Sequence, residues 1–217
     1  MIWIFIPLAA YLVGAVPFGR IIARAAAQID IRERGSGNIG ATNVAREVGM
    51  KWGLLTLVLD GIKGAVPVVG VAAFQGEVTG LAEAAGLAAI VGHQFSVFLG
   101  LRGGKGVATA LGFFAALEPL VTVGALVVFL VAVGVTDYVS SGSMAAAGSV
   151  PVFLCLCGGS YERIAVAAAV AALIVLAHRE NIGRLIRGEE RKWRRGKINP
   201  RVAPGDAPAP RRNRNGS

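Results

Sequence analysis

The sequence predicts an all-α, polytopic integral membrane protein with about seven transmembrane helices. Hydrophobic residues make up 54% of the 217 positions and charged residues only 16%, well below the roughly 25% of soluble domains. The mean hydropathy is +0.62. The apolar residues also fall into runs of helical length, separated by short polar stretches. The length fits one domain.

The first apolar run extends from Met1 to about Ala26. It has no charged segment at its start and no clear cleavage site, so we expect a transmembrane helix and not a signal peptide. The following residues, 28 to 51, are too rich in glycine and charge to lie against lipid and are expected to form a polar loop.

The second span, residues 53 to 74, contains Asp60 and Lys63. Because residues three apart on a helix share a face, we expect these two to pair with each other or with the polar loop, and direct contact with a substrate is the alternative. Several later runs are shorter than the about 20 residues of a full span, which predicts short, tilted or partly buried helices. The further spans are expected at residues 81–101, 107–117, 119–135, 143–157 and 164–177.

The net charge of +9 would suggest a nucleic-acid partner in a soluble protein. Here the basic residues are confined to loops and to the C-terminus. With seven spans, 21 of the 22 Lys and Arg residues fall on one side and Arg163 alone falls on the other. The positive-inside rule then predicts an external N-terminus and a cytoplasmic C-terminus, with every glycine-rich basic stretch in the cytoplasm. We expect a bilayer-embedded protein that does not bind nucleic acid.

The composition changes near residue 199. Residues 1–198 are expected to form the membrane domain. Residues 199–217 are rich in proline and arginine and bury little, so we expect a disordered basic tail. It would rest on anionic lipid headgroups or serve only for solubility.

Residues 35 to 46 combine three glycines, four hydrogen-bonding side chains and one arginine. This set suits a tetrahedral oxyanion, because glycines let backbone N–H groups approach and arginine offers a planar fork for phosphate. We therefore predict a phosphate-binding loop made of Gly35, Ser36, Gly37, Asn38, Gly40, Thr42, Asn43 and Arg46.

The same loop fits the G-x-G-x-x-G pattern of a dinucleotide-binding turn. That turn requires a buried strand immediately before the glycines, whereas residues 30–34 are Asp-Ile-Arg-Glu-Arg. A dinucleotide site is therefore disfavoured, and an ordinary flexible loop is the remaining alternative.

A second glycine-rich stretch, residues 102–106, precedes a helix, whose free N–H groups and dipole favour an anion. It is not a Walker A loop, since no Ser or Thr follows Lys105. We predict phosphate binding without nucleotide hydrolysis by Gly103, Gly104, Lys105 and Gly106. In the alternative, Arg102 and Lys105 only set the topology.

Two polar residues, His178 and Asn181, share one helix face where the last span ends. The histidine is a candidate base, or else an interfacial or capping residue. His93, inside a span, is expected to be hydrogen-bonded packing, with participation in the site as the alternative.

The serines near residue 140 lie in a loop without Lys or Arg. Ser140, Ser141 and Ser143 either add donors to a phosphate site or cap the sixth helix at Ser143. Cys155 and Cys157 are expected to be free packing or lipid-facing thiols. No catalytic triad, zinc cluster or carboxylate pair stands out, so we expect no metal and no cofactor.

Three segments together, residues 35–46, 92–109 and 178–190, resemble the signature motifs of the bacterial membrane glycerol-3-phosphate acyltransferases that use acyl-phosphate, the PlsY family. The resemblance extends from the N-terminus to about Glu190. It implies transfer of a fatty acyl group from acyl-phosphate to the 1-hydroxyl of sn-glycerol 3-phosphate, giving lysophosphatidic acid and inorganic phosphate. It also implies seven spans in the cell membrane and an active site open to the cytoplasm. We expect a monomer.

The resemblance also implies roles for individual residues. Ser36 and Arg46 would be essential, the glycines around Lys105 would serve the acyl-phosphate, and His178 and Asn181 would be critical. Glu180 would be mainly structural. The base would be His178 or the substrate's own phosphate, and we favour the phosphate. The expected catalytic set is Ser36, Arg46, Lys105, His178 and Asn181, with Ser141 and Ser143 added to the two glycine-rich loops for substrate binding.

This sequence departs from the family pattern in two places. Asp137 stands before Tyr138 where members usually have a basic residue, which puts in doubt a phosphate contact from that loop beyond Ser141 and Ser143. The arginine-rich tail is also longer than usual. Two other classes of function stay open on the residues alone: a transporter or channel for a phosphate-bearing solute, and a non-catalytic membrane scaffold.

Overall fold

The computed structural model describes residues 2–75 and 80–194, and this part of the chain folds into α-helices joined by short loops, with no strand among the described residues. Two 3₁₀ turns, Ile31–Glu33 and Val97–Leu99, interrupt the loops. The helices are α1 (Ile2–Ala15), α2 (Phe18–Ala27), α3 (Ala41–Glu47), α4 (Met50–Gln75), α5 (Leu81–Gln94), α6 (Val107–Leu117), α7 (Pro119–Thr136), α8 (Val139–Leu156), α9 (Tyr161–Ala177) and α10 (Arg179–Ile186).

Five stretches within the described ranges are long and apolar enough to cross a membrane, and α9 with α10, bent by 57°, makes a sixth if counted as one span. The all-helical membrane architecture expected from the sequence is therefore confirmed. A count of seven also requires α6, which has only 11 residues. Large apolar side chains are exposed on α7, where Leu120 and Val135 are 78% and 82% exposed, as expected of a helix surrounded by lipid.

The first apolar run was expected to form one helix, but it forms two. α1 ends at Ala15 and α2 begins at Phe18, because Pro17 has no N–H to donate and disfavours helical geometry at Val16. Side chains from other segments take up the freed carbonyls. Lys63 Nζ donates to Val16 O over 2.8 Å, and Ser96 Oγ donates to Ala15 O over 2.6 Å.

Close helix crossings depend on glycine. A Cβ on Gly64 of α4 would overlap the carbonyl of Thr109, and a Cβ on Gly112 of α6 would overlap the carbonyl of Gly61. The short helix α6 is thereby pressed against α4. A buried core that includes Phe113 joins it to the neighbouring helices.

One end of the bundle carries an ion cluster. Arg163, at the start of α9, places its Nε 3.0 Å from Glu83 Oε1 and its Nη1 2.6 Å from Glu118 Oε1. This cluster joins the beginnings of α5, α7 and α9. The beginnings of α6 and α8 and the end of α9 meet at the opposite end, where the polar loops gather.

Three expected boundaries differ in the structure. α5 ends at Gln94 and not near Leu101, and the 3₁₀ turn Val97–Leu99 completes the apolar stretch Leu81–Leu99. α8 begins at Val139, so Ser143 lies inside the helix and donates to Val139 O instead of capping it. The polar loop of residues 28–51 contains the helix α3. The expected end of the membrane domain at 198 and the expected tail lie outside the described residues.

Candidate active site

A cavity of about 330 Å³ opens at the end of the bundle where the polar loops gather. It brings together twelve of the expected site residues: Gly35, Ser36, Asn38, Gly40, Thr42, Asn43, Arg46, Lys105, Gly106, Ser143, His178 and Asn181. Gly37, Gly103, Gly104 and Ser141 do not line it. The other polar residues of the lining are Asp60, His93, Ser140, Arg184, Glu190 and Arg191.

The first loop is folded around Asn43. This buried amide donates through Nδ2 to the carbonyls of Ile31, Arg34 and Asn38, and its Oδ1 accepts from Ser36 N over 3.0 Å. Its hydrogen bonds are therefore used within the loop. We expected Asn43 to donate to the substrate, but its contacts show a residue that shapes the loop.

Two glycines make this fold of the loop possible. Gly35 and Gly37 have φ of 60° and 70°, which favours glycine. A Cβ on Gly35 would also overlap the side-chain oxygen of Asn43. Gly37 serves the turn and does not reach the cavity, whereas Ser36, beside it, lines the exposed rim.

Arg46, on α3, is held by the C-terminal segment of the described chain. Its Nη2 donates to the carbonyl of Arg191 over 3.3 Å, and its guanidinium lies 5.9 Å from the ring centroid of Trp193. Its Nε is buried without a hydrogen-bond partner in the described chain. Burial lowers the pKa of Arg46, and the positive charge of Arg191 lowers it further.

Lys105 connects the second loop to α10. Its ammonium group donates to Asn181 Oδ1, and Asn181 Nδ2 in turn donates to Glu190 Oε1. Burial lowers the pKa of Lys105 to about 8, although the negative charge of Glu190 opposes that shift. A large fraction of Lys105 thus stays charged at pH 7.

Glu190 is the acceptor on which several donors converge. Besides Asn181, Ser140 Oγ donates to Oε1 over 2.8 Å and Arg184 Nε donates to Oε2 over 2.8 Å. Burial alone would raise the pKa of Glu190, but these hydrogen bonds and the charge of Arg184 outweigh it and the pKa is lowered. Sequence reasoning named Ser140 as a possible donor to a phosphate site but missed Glu190 and Arg184. The only signal was that Arg184 and Glu190 fall within the third motif.

Two glycines of the second loop, Gly103 and Gly104, were expected to bind phosphate, but their N–H groups donate to main-chain carbonyls. Gly103 N donates to Gln94 O over 2.9 Å, and Gly104 N donates to His93 O over 3.0 Å. These N–H groups are therefore not free for an anion. Both glycines permit close packing, because a Cβ on either would overlap His93. Gly106, with φ of 79°, immediately precedes α6, whose N-terminal end faces the cavity.

His178 lies between α9 and α10 and is buried. Its Nδ1 lies 2.8 Å from the carbonyl oxygen of Ile174, which makes Nδ1 the protonated nitrogen and leaves Nε2 as an acceptor. Burial and the charge of Lys105 lower the pKa of His178 to about 4, so the ring is neutral at pH 7. The expected convergence of His178 and Asn181 is present, since both line the cavity.

Below the loops, Asp60 and His93 reach the cavity from α4 and α5. Asp60 Oδ1 lies 2.8 Å from Lys63 Nζ, the pairing expected from the sequence, as an ionic contact without hydrogen-bond alignment. His93 Nδ1 lies 3.7 Å from the same oxygen, and in the described chain it has no hydrogen-bond partner.

No group of three or more His, Cys, Asp or Glu residues within 2–75 and 80–194 could hold a metal ion. The charges of the cavity come instead from Arg46, Lys105, Arg184 and Arg191, with Asp60 and Glu190 each already paired. Such a site can bind anions.

Known proteins resemble this chain in both sequence and fold. The family model described as glycerol-3-phosphate acyltransferase matches residues 4–188. Two curated relatives with that same name come from Geobacter sulfurreducens, 45% identical, and Trichlorobacter lovleyi, 46% identical, each match covering 85% of this chain and 94% of the relative.

Two crystal structures of PlsY (YgiH), described as an integral membrane glycerol 3-phosphate acyltransferase, have the same fold. The glycerol 3-phosphate form has a TM-score of 0.85 and 39% identity and covers 89% of this chain and 96% of that one. The lysophosphatidic acid form has a TM-score of 0.83 and 39% identity over 88% and 95% of the two chains. On sequence and on fold alike, this chain belongs to the PlsY family of glycerol-3-phosphate acyltransferases.

Proposed function

We propose that this protein transfers a fatty acyl group from acyl-phosphate to the 1-hydroxyl of sn-glycerol 3-phosphate, producing lysophosphatidic acid and inorganic phosphate. The observation that carries the proposal is the contact of Lys105 with Asn181 inside a cavity that also holds Arg46. Three distant segments thus build one cationic site. The solved relatives, described as glycerol 3-phosphate and lysophosphatidic acid forms, support this substrate and this product.

The charge of the cavity suits two anionic reactants. A phosphomonoester carries a charge of about −1.5 to −2 near neutral pH, and acyl-phosphate brings a second phosphate. Arg46 lines the cavity and carries a planar guanidinium fork, which suits the phosphate of glycerol 3-phosphate. Lys105, a point charge beside the start of α6, suits the phosphate of the donor.

The chemistry makes modest demands on the protein. The glycerol 1-oxygen attacks the acyl carbon, the new C–O bond forms, and the bond from the acyl carbon to the phosphate oxygen breaks. The phosphate leaves with the electron pair and is already a stable anion. The protein therefore has to position both substrates and stabilise negative charge, which Lys105 and Arg46 can do without a covalent intermediate.

The proton of the glycerol hydroxyl goes to a phosphate in this proposal. Burial and the charge of Lys105 lower the pKa of His178, which makes this histidine a weak base, whereas the second pKa of a phosphomonoester is about 6. His178 remains neutral, and its free Nε2 can accept a hydrogen bond from the hydroxyl and orient it.

The position of the cavity fits a lipid substrate. Part of its lining is apolar, including Leu57 of α4 and Phe129 of α7, and Leu57 is 37% exposed on the outer surface. An acyl chain can thus run from the bilayer to the polar end. From the distribution of Lys and Arg we place this end on the cytoplasmic side. One chain supplies all the residues named, which fits a monomer.

The test uses purified protein in detergent or lipid with palmitoyl-phosphate and glycerol 3-phosphate. We expect release of inorganic phosphate in equal amount to lysophosphatidic acid, measured by colorimetry and mass spectrometry. Palmitoyl-CoA in place of palmitoyl-phosphate should give no product. Turnover with palmitoyl-CoA alone would overturn the donor assignment, and no acylation of glycerol 3-phosphate from any donor would overturn the activity.

A further inference from the structure

The chain reverses direction after α10 and passes over the cavity. Gly188, with φ of 70°, ends the helix, and Glu189 N donates back to Arg184 O over 2.8 Å. We call the segment that follows, residues 189–194, the C-terminal strap. Its Glu190 and Arg191 line the cavity.

The strap is fastened to the turn between α7 and α8. Asp137, the last residue before Tyr138, accepts from Trp193 N through its main-chain oxygen over 2.8 Å. Its side-chain Oδ1 accepts from Arg194 N over 3.0 Å. Asp137 has φ of 63°, a conformation that aspartate tolerates better than most residues. It does not line the cavity.

The fastened strap holds Arg46. The carbonyl of Arg191 takes one Nη2 hydrogen, and the ring of Trp193 lies over the guanidinium. Together they fix the plane of the fork while Nε stays without a partner in the described chain. Glu190 is secured separately by Ser140, Asn181 and Arg184. Loss of the fastening should therefore affect Arg46 more than Lys105.

We infer that Asp137 is a positioning residue for glycerol 3-phosphate, acting through the strap on Arg46. The inference rests on the proposed function for the identity of this substrate. A guanidinium already held in one orientation loses less freedom on binding phosphate. Asp137 thus sets the affinity for glycerol 3-phosphate without touching it, and a basic residue at this position could not accept the hydrogen bond from Arg194.

The test compares Asp137→Gly with Asp137→Asn. Glycine keeps the left-handed turn and the main-chain acceptor but removes the side-chain oxygen, whereas asparagine keeps that oxygen and tolerates the turn. We expect the glycine variant to raise the KM for glycerol 3-phosphate about five- to tenfold, as the loss of one hydrogen bond predicts. Its kcat and its KM for acyl-phosphate should stay within about twofold, and asparagine should restore the wild-type KM.

Trp193→Leu is a second variant that keeps the Asp137 fastening but removes the ring over Arg46. It should raise the same KM, and combining it with Asp137→Gly should add less than the two single effects. Glu189→Gln, an exposed change in the strap, is the control and should leave KM unchanged. If the glycine variant does not fold, as judged by melting temperature, Trp193→Leu decides.

Binding of glycerol 3-phosphate measured by calorimetry without any donor separates this inference from the proposed reaction. A weaker Kd in the glycine variant supports it even if acyl-phosphate proves not to be the donor. An unchanged KM and Kd in folded Asp137→Gly, or equal losses with asparagine and glycine, would overturn it while the proposed reaction stands.

Discussion

Lys105 donates a hydrogen bond from its ammonium group to the side-chain oxygen of Asn181, across 76 residues of sequence. Asn181 in turn donates a hydrogen bond to Glu190, which also accepts one from Ser140. Hydrogen-bonded side chains from three elements therefore position the Lys105 ammonium group, which we propose binds the donor phosphate.

The first prediction concerns the charge of Lys105. Lys105→Met keeps most of the volume and removes the cation, so kcat/KM for acyl-phosphate should fall about 10²- to 10³-fold, the usual loss for one electrostatic group. Steady-state phosphate release measures this change. Lys51→Met, at the exposed start of α4, is the control and should be unaffected. Equal kcat/KM in wild type and Lys105→Met would leave that loop a purely topogenic role.

The second prediction concerns pH. The pKa of Lys105 is about 8, so its charge is present below this pH and is lost as the pH rises through it. The kcat/KM for acyl-phosphate should fall on that alkaline side, since this ratio reports the free enzyme. Lys105→Met should abolish this limb. The neutral His178, with a pKa of about 4, should contribute no limb between pH 5 and 8. A limb near 6.5 that disappears in His178→Gln would instead identify His178 as the base.

The third prediction concerns Glu190. Glu190→Gln replaces an acceptor oxygen with an N–H₂ group and removes the charge that faces Arg184. Stability should fall by about 1–3 kcal/mol, and kcat/KM should fall as well because Asn181 loses its anchor. Melting temperature and initial rates measure the two effects. Glu189→Gln, an exposed neighbour, is the matched control. A Gln variant as stable and active as Glu189→Gln would contradict the role given to Glu190.

The fourth prediction concerns the packing of the second loop. Gly104→Ala places a methyl group on the imidazole of His93, whereas Gly148→Ala on α8 adds one where nothing lies within 4 Å. We expect the first variant to lower the melting temperature and the turnover. The second should be neutral or slightly stabilising, since alanine favours helix. If the two variants melt together, the contact between Gly104 and His93 is not close.

Some of this protein could be predicted from sequence because the physical cause is local. Exposing a long apolar run such as that of α7 to water costs free energy, so the run has to lie in a membrane or in a protein core, and its length indicates a membrane span. The three polar motifs were likewise evident as interruptions in an apolar chain. Their residue types predicted a cationic, glycine-rich site, and Arg46, Lys105, His178 and Asn181 do share one cavity.

Only the tertiary structure decided how the polar groups divide their hydrogen bonds. Asn43 looked like a substrate donor, but three loop carbonyls lie close enough to use its amide. Asp137 departs from the family pattern and put in doubt a phosphate contact from its loop, but in the structure it accepts hydrogen bonds from two main-chain N–H groups of the strap. A side chain's residue type fixes what it can donate or accept, whereas its partner depends on which group the fold brings within about 3 Å. Asn43 has near partners in Ser36 and Asn38, but its other two partners, Ile31 and Arg34, are 12 and 9 positions away in sequence. The side-chain partner of Asp137, Arg194, is 57 positions away.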